Sequence, residues 1–319
     1  MRNMLITPPR GHLREGLKFG YVDVPERLTP QVRPFLDSLT AASLDLQREI
    51  RKGREIEIKT EDVELELGGV KTKMRVFIPD GTGPFPIALY CHGGGFAIRD
   101  VDCFDYIGRY LAKNAPAVVF MPEYVLTPEY VFPMQLTQCF DALNWARDNA
   151  SRYGGDAARD MVLGDSAGGN LAAAICLMCR DRKIRQPAMQ LLIYPLVDCT
   201  QSEMRESDCL YGEGFNLDYK HLLSYNEAYA STEVAKEPYA SPLLAQDHSN
   251  LAECFMISAE CDILIDQGME YLYALNASGV KVDYRIFEGM PHDFLFFAFD
   301  ESYAAYDLIC AHLREMKHR

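Results

Sequence analysis

At 319 residues, with 48% hydrophobic and 24% charged side chains, the chain has the composition of an ordinary globular protein and not of a disordered one. A formal net charge of −14 argues against nucleic acid and anionic membrane surfaces as partners. No stretch approaches the roughly 18 apolar residues that a membrane span requires.

The opening "MRNMLITPPRGHLREGLKFG" has no apolar core of signal-peptide length, because Pro8, Pro9 and Arg10 interrupt it. The ten cysteines are therefore expected to stay reduced in a cytoplasmic protein. Cys176 and Cys179 have C-x-x-C spacing but fall inside an expected helix, with no second pair at metal spacing. They read as buried packing, and no metal is implied.

Residues 28–50 carry a helical pattern in which Val32, Phe35, Leu36, Leu39 and Leu44 share a face, broken by Pro34. The period then changes. "EIEIKTEDVELELGGVKTKMRVFIP" alternates apolar and polar residues about Gly68-Gly69, which predicts antiparallel strands with one solvated face. From Pro86 onward short apolar runs alternate with helical segments. Strands are expected at 86–91, 117–121, 161–163, 189–194, 254–258 and 282–287. Helices are expected near 103–113, 134–151, 167–180, 266–278 and 301–317. This alternation predicts a mostly parallel sheet with helices on both faces. A polar, tyrosine-rich span at about 200–245 lacks a strong strand and reads as an insertion.

The run "MVLGDSAGGNLAAAI" combines a strand, a sharp turn and a helix. Gly164 and Gly168 flank Ser166 where any Cβ would crowd strand or helix, so the hydroxyl is held at the N-terminus of a helix above the sheet. A serine so placed is a candidate nucleophile, and on this architecture an acid and then a histidine follow it in the chain. Of seven histidines, His12 and His92 come too early, and His312 and His318 lie in the charged final helix. His221 and His248 lie in the insertion or at its exit. That leaves His292, beyond a strand's carboxyl end, as the base. Glu260, Asp262 and Asp266 follow the strand "CFMIS". Asp266 is expected to cap the next helix and Glu260 is nearer the strand end, so Asp262 is the expected acid, with Asp198 as the alternative. "CHGGGFAI" supplies backbone donors, and the N–H groups of Gly93, Gly94 and Ala167 are expected to form an oxyanion hole.

"HGGGF", "GDSAGGNLAAA", "DILID" and "GMPHDF", in this order, resemble the hormone-sensitive-lipase-like (bacterial family IV) esterases of the α/β-hydrolase fold. "TPEYVFP" (127–133) and "PYASPLL" (238–244) extend the likeness, which runs from about residue 70 to about 310. The resemblance implies Ser166 as nucleophile, His292 as base, Asp262 as acid, and Gly93, Gly94 and Ala167 as oxyanion donors, with His92 supporting the glycine loop. It implies residues 1–50 as N-terminal lid helices and 51–319 as the catalytic domain, with the 200–245 insertion completing the lid. Val125, Glu123 and Asp293 depart from the family pattern, at positions where arginine, aspartate and glycine are usual. Loss of the arginine leaves the packing of that loop open, and Asp293 is expected to favour the charged form of His292.

The expected activity is hydrolysis of short- to medium-chain acyl esters through an acyl-enzyme, without a cofactor. An amidase or N-deacetylase using the same residues is the nearest alternative, and a non-catalytic small-molecule receptor of this fold is a further one. The expected partner is a small-molecule ester, with no nucleic acid and no membrane; a homodimer is compatible with the chain. Of the aromatic residues Phe35, Tyr211, Phe215, Tyr219, Tyr225 and Tyr229, most are expected to seal lid to body and one or two to meet substrate. "DFLFFAF" (293–299) is expected to be mostly core.

Overall fold

A computed structural model describes residues 24–200 and 202–316. The first part of the expected lid (1–23), with His12, and the chain end with His318 lie outside them. Eight strands form one sheet: β1 (Lys59–Leu67), β2 (Val70–Ile78), β3 (Phe85–Cys91), β4 (Val118–Pro122), β5 (Gly155–Asp165), β6 (Met189–Ile193), β7 (Glu253–Cys261) and β8 (Val282–Pro291). Their order is β1-β2-β4-β3-β5-β6-β7-β8. β2 runs antiparallel to both neighbours, and the pairings from β4 through β8 are parallel. Gly68 and Gly69, at φ 57° and 74°, make the tight turn between β1 and β2. Two successive positive φ values give a turn whose twist matches that of the flanking strands.

The central strands are apolar on both sides, and alternation along each one feeds two cores. Ile87, Leu89, Val118, Phe120 and Val162 face a cluster containing α3 (Met134–Asn149), α4 (Ala167–Asp181) and α7 (Ile265–Ala277). Ala88, Tyr90, Val119, Met121, Met161 and Leu163 face the opposite cluster, containing α2 (Asp105–Asn114) and α8 (Asp300–Glu315). Period-two strands buried on both faces produce this arrangement. Cys176 and Cys179 are buried in the first cluster. β5 is longer than its apolar run suggests. Its polar start is tied down by ion pairs, Arg159 with Asp156 and both Arg147 and Arg185 with the buried Asp160. No helix among the described residues is long and apolar enough to cross a membrane.

Three helices outside this body cover one end of the sheet: α1 (Arg33–Ile50), α5 (Glu206–Tyr211) and α6 (Tyr219–Tyr229). Pro34 does not break the first of these. It occupies the first turn of α1, where its missing N–H is not needed. α1 is fastened at both ends. Arg33 donates to the carbonyls of Ala97 (2.9 Å) and Thr127 (2.5 Å) and pairs with Glu129. At the other end, the side chains of Gln47 and Arg51 donate to the carbonyls of Phe296 (2.5 Å) and Phe297 (2.8 Å). The loop that lacks the usual arginine at Val125 is held in part by Arg33, and in part by Gln138, whose Oε1 accepts the Val125 N–H at 2.7 Å. Glu123, nearby, pairs with Lys73 at 3.1 Å.

Candidate active site

Ser166 sits between β5 and α4 at φ 54° and ψ −118°, a strained conformation for a residue with a side chain. The chain can adopt it because its neighbours are small. A Cβ on Gly168 would lie 1.9 Å from the carbonyl oxygen of Cys91, and one on Gly164 would lie 2.3 Å from that of Gly168. The turn is held by hydrogen bonds from the Ser166 N–H to the Ile193 carbonyl (2.9 Å) and from the Leu196 N–H to the Ser166 carbonyl (3.1 Å).

Three side chains distant in sequence meet here. Nε2 of His292 lies 2.9 Å from Oγ of Ser166, and Nδ1 lies 2.7 Å from Oδ2 of Asp262. Asp262 is 1% exposed and His292 5%, and the second carboxylate oxygen of Asp262 accepts the Leu264 N–H at 2.8 Å. Asn216, in the insertion, donates to the His292 carbonyl at 3.1 Å. Burial alone would lower the basicity of His292, and this is the largest single effect. The charge and hydrogen bond of Asp262, with the charges of Asp293 and Asp165, outweigh it and lift the imidazole above the usual histidine range.

The other carboxylates have different duties. Glu260 accepts the Gly289 N–H at 2.7 Å. Asp198 is held by Arg205 at 2.8 Å and by the Thr200 hydroxyl at 2.6 Å. Asp266 is not a helix cap. Leu264 holds that position, and Asp266, in the first turn of α7, accepts the Ser207 N–H at 2.8 Å.

The glycine loop departs from expectation at one donor. The Gly93 N–H donates to Oδ1 of Asp165 at 2.9 Å, and Gly93 does not border the cavity over Ser166. Gly94 and Gly95 do border it, so the loop glycines on the cavity lie one residue further on than the sequence suggested. The competing acceptor explains the shift: a buried carboxylate next to the serine takes the first N–H. Asp165 also accepts the Tyr90 hydroxyl at 2.9 Å. His92 stacks on Tyr124 with centroids 4.3 Å apart, and its Nδ1–H donates to the Gly93 carbonyl at 2.8 Å. Burial pulls its pKa down to about 4, so it stays neutral and supports the loop.

Asp165 itself is pushed up to about 7, first by burial and then by the charge of Asp293, against the opposing effects of Arg99, Tyr90 and Gly93. A carboxyl raised on folding favours the fold most at low pH and costs stability as pH climbs through the folded value. Asp165→Asn is therefore expected to raise the Tm more at pH 8 than at pH 5. Thermal unfolding at both values checks this, and equal shifts would contradict it.

The cavity above Ser166 has a volume of about 590 Å³. Leu39, Ala42 and Leu46 from α1, with Phe296, Phe297 and Phe299, make an apolar wall, while Asn216, Asp218, His221 and Asn226 come from the insertion. "DFLFFAF" thus divides between core (Phe294, Leu295) and cavity wall. Of the six lid aromatics named above, Tyr225 reaches the cavity. Phe35 packs beside it, Tyr211 against Phe215, and Tyr229 on Phe96. Sequence reasoning missed Gly95 and Arg99. Gly95 could have been found by asking which acceptor claims the first glycine N–H; Arg99 carries no such signal, because its partner lies 194 residues away.

Residues 88–296 match a protein family described as having the alpha/beta hydrolase fold. An arylesterase of Saccharolobus solfataricus is 33% identical over 291 residues, covering 90% of each chain. The chain belongs to the hormone-sensitive-lipase-like branch of the α/β-hydrolase superfamily. An ethyl acetate hydrolase of Pseudomonas putida is 36% identical over 209 residues, 65% of each chain. The solved structure of a hyperthermophilic esterase from the archaeon Pyrobaculum calidifontis superposes with a TM-score of 0.84 at 33% identity, covering 92% of this chain and 100% of that one. This α/β-hydrolase is a carboxylic ester hydrolase, as its esterase relatives are.

Proposed function

We propose that this esterase works through a Ser166-His292-Asp262 triad on short- to medium-chain acyl esters. The observation that carries the reading is the continuous relay from Oγ to Nε2 (2.9 Å) and from Nδ1 to the buried carboxylate (2.7 Å) beneath a cavity of substrate size. Ser166 attacks the ester carbonyl as His292 takes its proton, and Asp262 orients the ring and stabilises its charged form. The oxyanion is received by the N–H groups of Gly94, Gly95 and Ala167, the last at the N-terminus of α4. His292 then protonates the leaving alcohol, and water repeats the sequence on the acyl-enzyme. A cavity of about 590 Å³ with one apolar wall suits a small soluble ester, with acyl chains of roughly two to eight carbons.

The test is turnover of a chain-length series of p-nitrophenyl esters beside matched anilides. Esters should turn over fast and anilides slowly, with a maximum inside the stated range. Fast anilide turnover beside sluggish ester turnover would instead support an amidase. The base must be neutral to act, and His292 is held above the usual histidine range of about 6.5. kcat/KM is therefore expected to rise with pH along a limb centred above about 6.5. A limb centred well below that value would contradict the assignment.

A further inference from the structure

The loop that carries Gly94 and Gly95 runs on to Arg99, and His292 is followed at once by Asp293. These two residues meet, with Nη2 of Arg99 donating to Oδ2 of Asp293 at 2.5 Å. Both side chains are withdrawn from solvent, 13% and 7% exposed, and both residues border the cavity. Both also hold left-handed backbone, at φ 70° and 67°, a region glycine enters freely and arginine rarely does. The Arg99 guanidinium is further fixed 3.8 Å from the centroid of the Phe296 ring.

A buried ion pair adds little net stability over an apolar substitute, because desolvation offsets the attraction, yet removing one partner strands a bare charge. Stability is therefore a weak reason for placing two strained, charged residues together. Position is a better one. Arg99 follows the loop that offers the oxyanion donors, and Asp293 is the next residue after the base. We propose that the Arg99–Asp293 pair is a positioning clasp that locks the oxyanion loop to the histidine loop, so that both address the same substrate carbonyl. This rests on the triad reading above.

The clasp also sets the charge that His292 meets. Asp262 from the loop after β7, Asp165 from the end of β5 and Asp293 from its own loop act on the imidazole. The Tyr194 ring, just after β6, packs against it with centroids 4.9 Å apart. Asp218 and His221 line the same cavity from the insertion. Arg99 is the cation set against these acids. Losing it exposes His292 to an uncompensated Asp293, whereas losing Asp293 does the reverse.

The experiment compares Arg99→Ala, Asp293→Ala and the double variant Arg99→Gly/Asp293→Gly on p-nitrophenyl butyrate across pH. Each single variant should lose about 10- to 100-fold in kcat with little change in KM, as misplacement of reacting groups does. The double variant should stay slow but be no slower than the worse single, since either loss already opens the clasp, while glycine accepts both backbone conformations and no charge is stranded. The rising limb of kcat/KM should move to higher pH in Arg99→Ala and to lower pH in Asp293→Ala. Normal folding of the double variant with its rate still depressed supports the clasp even if the single variants fold poorly. A double variant as fast as the unaltered enzyme, or slowed by the product of the two single losses, or limbs that move in the same direction or not at all, would overturn it. Ser166→Ala, run alongside, isolates the underlying reading: activity surviving in that variant sinks the triad, whereas the clasp is judged on the other three variants relative to the unaltered enzyme.

Discussion

Ser166→Ala is expected to lower kcat for p-nitrophenyl butyrate by about 10⁴- to 10⁶-fold and to abolish labelling by a fluorophosphonate. In the proposed mechanism the hydroxyl is the group that forms the acyl-enzyme, and alanine leaves the turn intact because its Cβ replaces one already there. His292→Ala should cost a similar factor. The double variant should be scarcely worse than either, because a nucleophile without its base and a base without its nucleophile are equally idle. Steady-state kinetics on the three variants, with mass spectrometry of the labelled protein, check this. Costs that multiply in the double variant would mean that the two side chains act independently.

Asp262→Asn is the second large effect, expected to lower kcat by about 10⁴-fold with little change in KM. Asparagine can still accept the Leu264 N–H that Oδ1 accepts now. It would, however, face His292 with a group that neither enforces the needed tautomer nor offsets the imidazolium charge. The comparison variant is Asp198→Asn. Asp198 follows β6 and was the alternative acid in the sequence, but its oxygens engage Arg205 and Thr200. Its replacement should leave kcat within a few-fold while lowering the Tm, because an arginine 11% exposed loses one of its carboxylates. A larger loss of rate at position 198 than at position 262 would reverse the assignment.

The parallel sheet was legible because its strands are short apolar runs separated by helix-length segments, and parallel strands buried on both faces need that composition. The turn at Ser166 was legible because glycine has to stand where a Cβ would sit 1.9 or 2.3 Å from a carbonyl oxygen. What escaped was set by contacts that no local pattern encodes. The polar start of β5 lies in the sheet because Arg159 on the same strand pairs with Asp156, and Arg147 and Arg185 from elsewhere pair with the buried Asp160. Pro34 looked like a break because a periodic pattern does not mark where a helix begins. That the Gly93 N–H, expected to face the serine, is taken by Asp165 is a contact visible only once β3 and β5 lie side by side. Asp293 was rightly seen as a charge beside the base, but the cation that balances it could not be read from the chain.

The fastening of α1 at Arg33 and again at Gln47 and Arg51 has a consequence for how this enzyme diversifies. A helix pinned at both tips acts as a fixed gauge, with Leu39, Ala42 and Leu46 as its graduations along the bay. Swapping a small graduation for a bulky one shortens the bay without shifting the nucleophile, so preference for chain length can drift along one helix while the chemistry beneath it stays still.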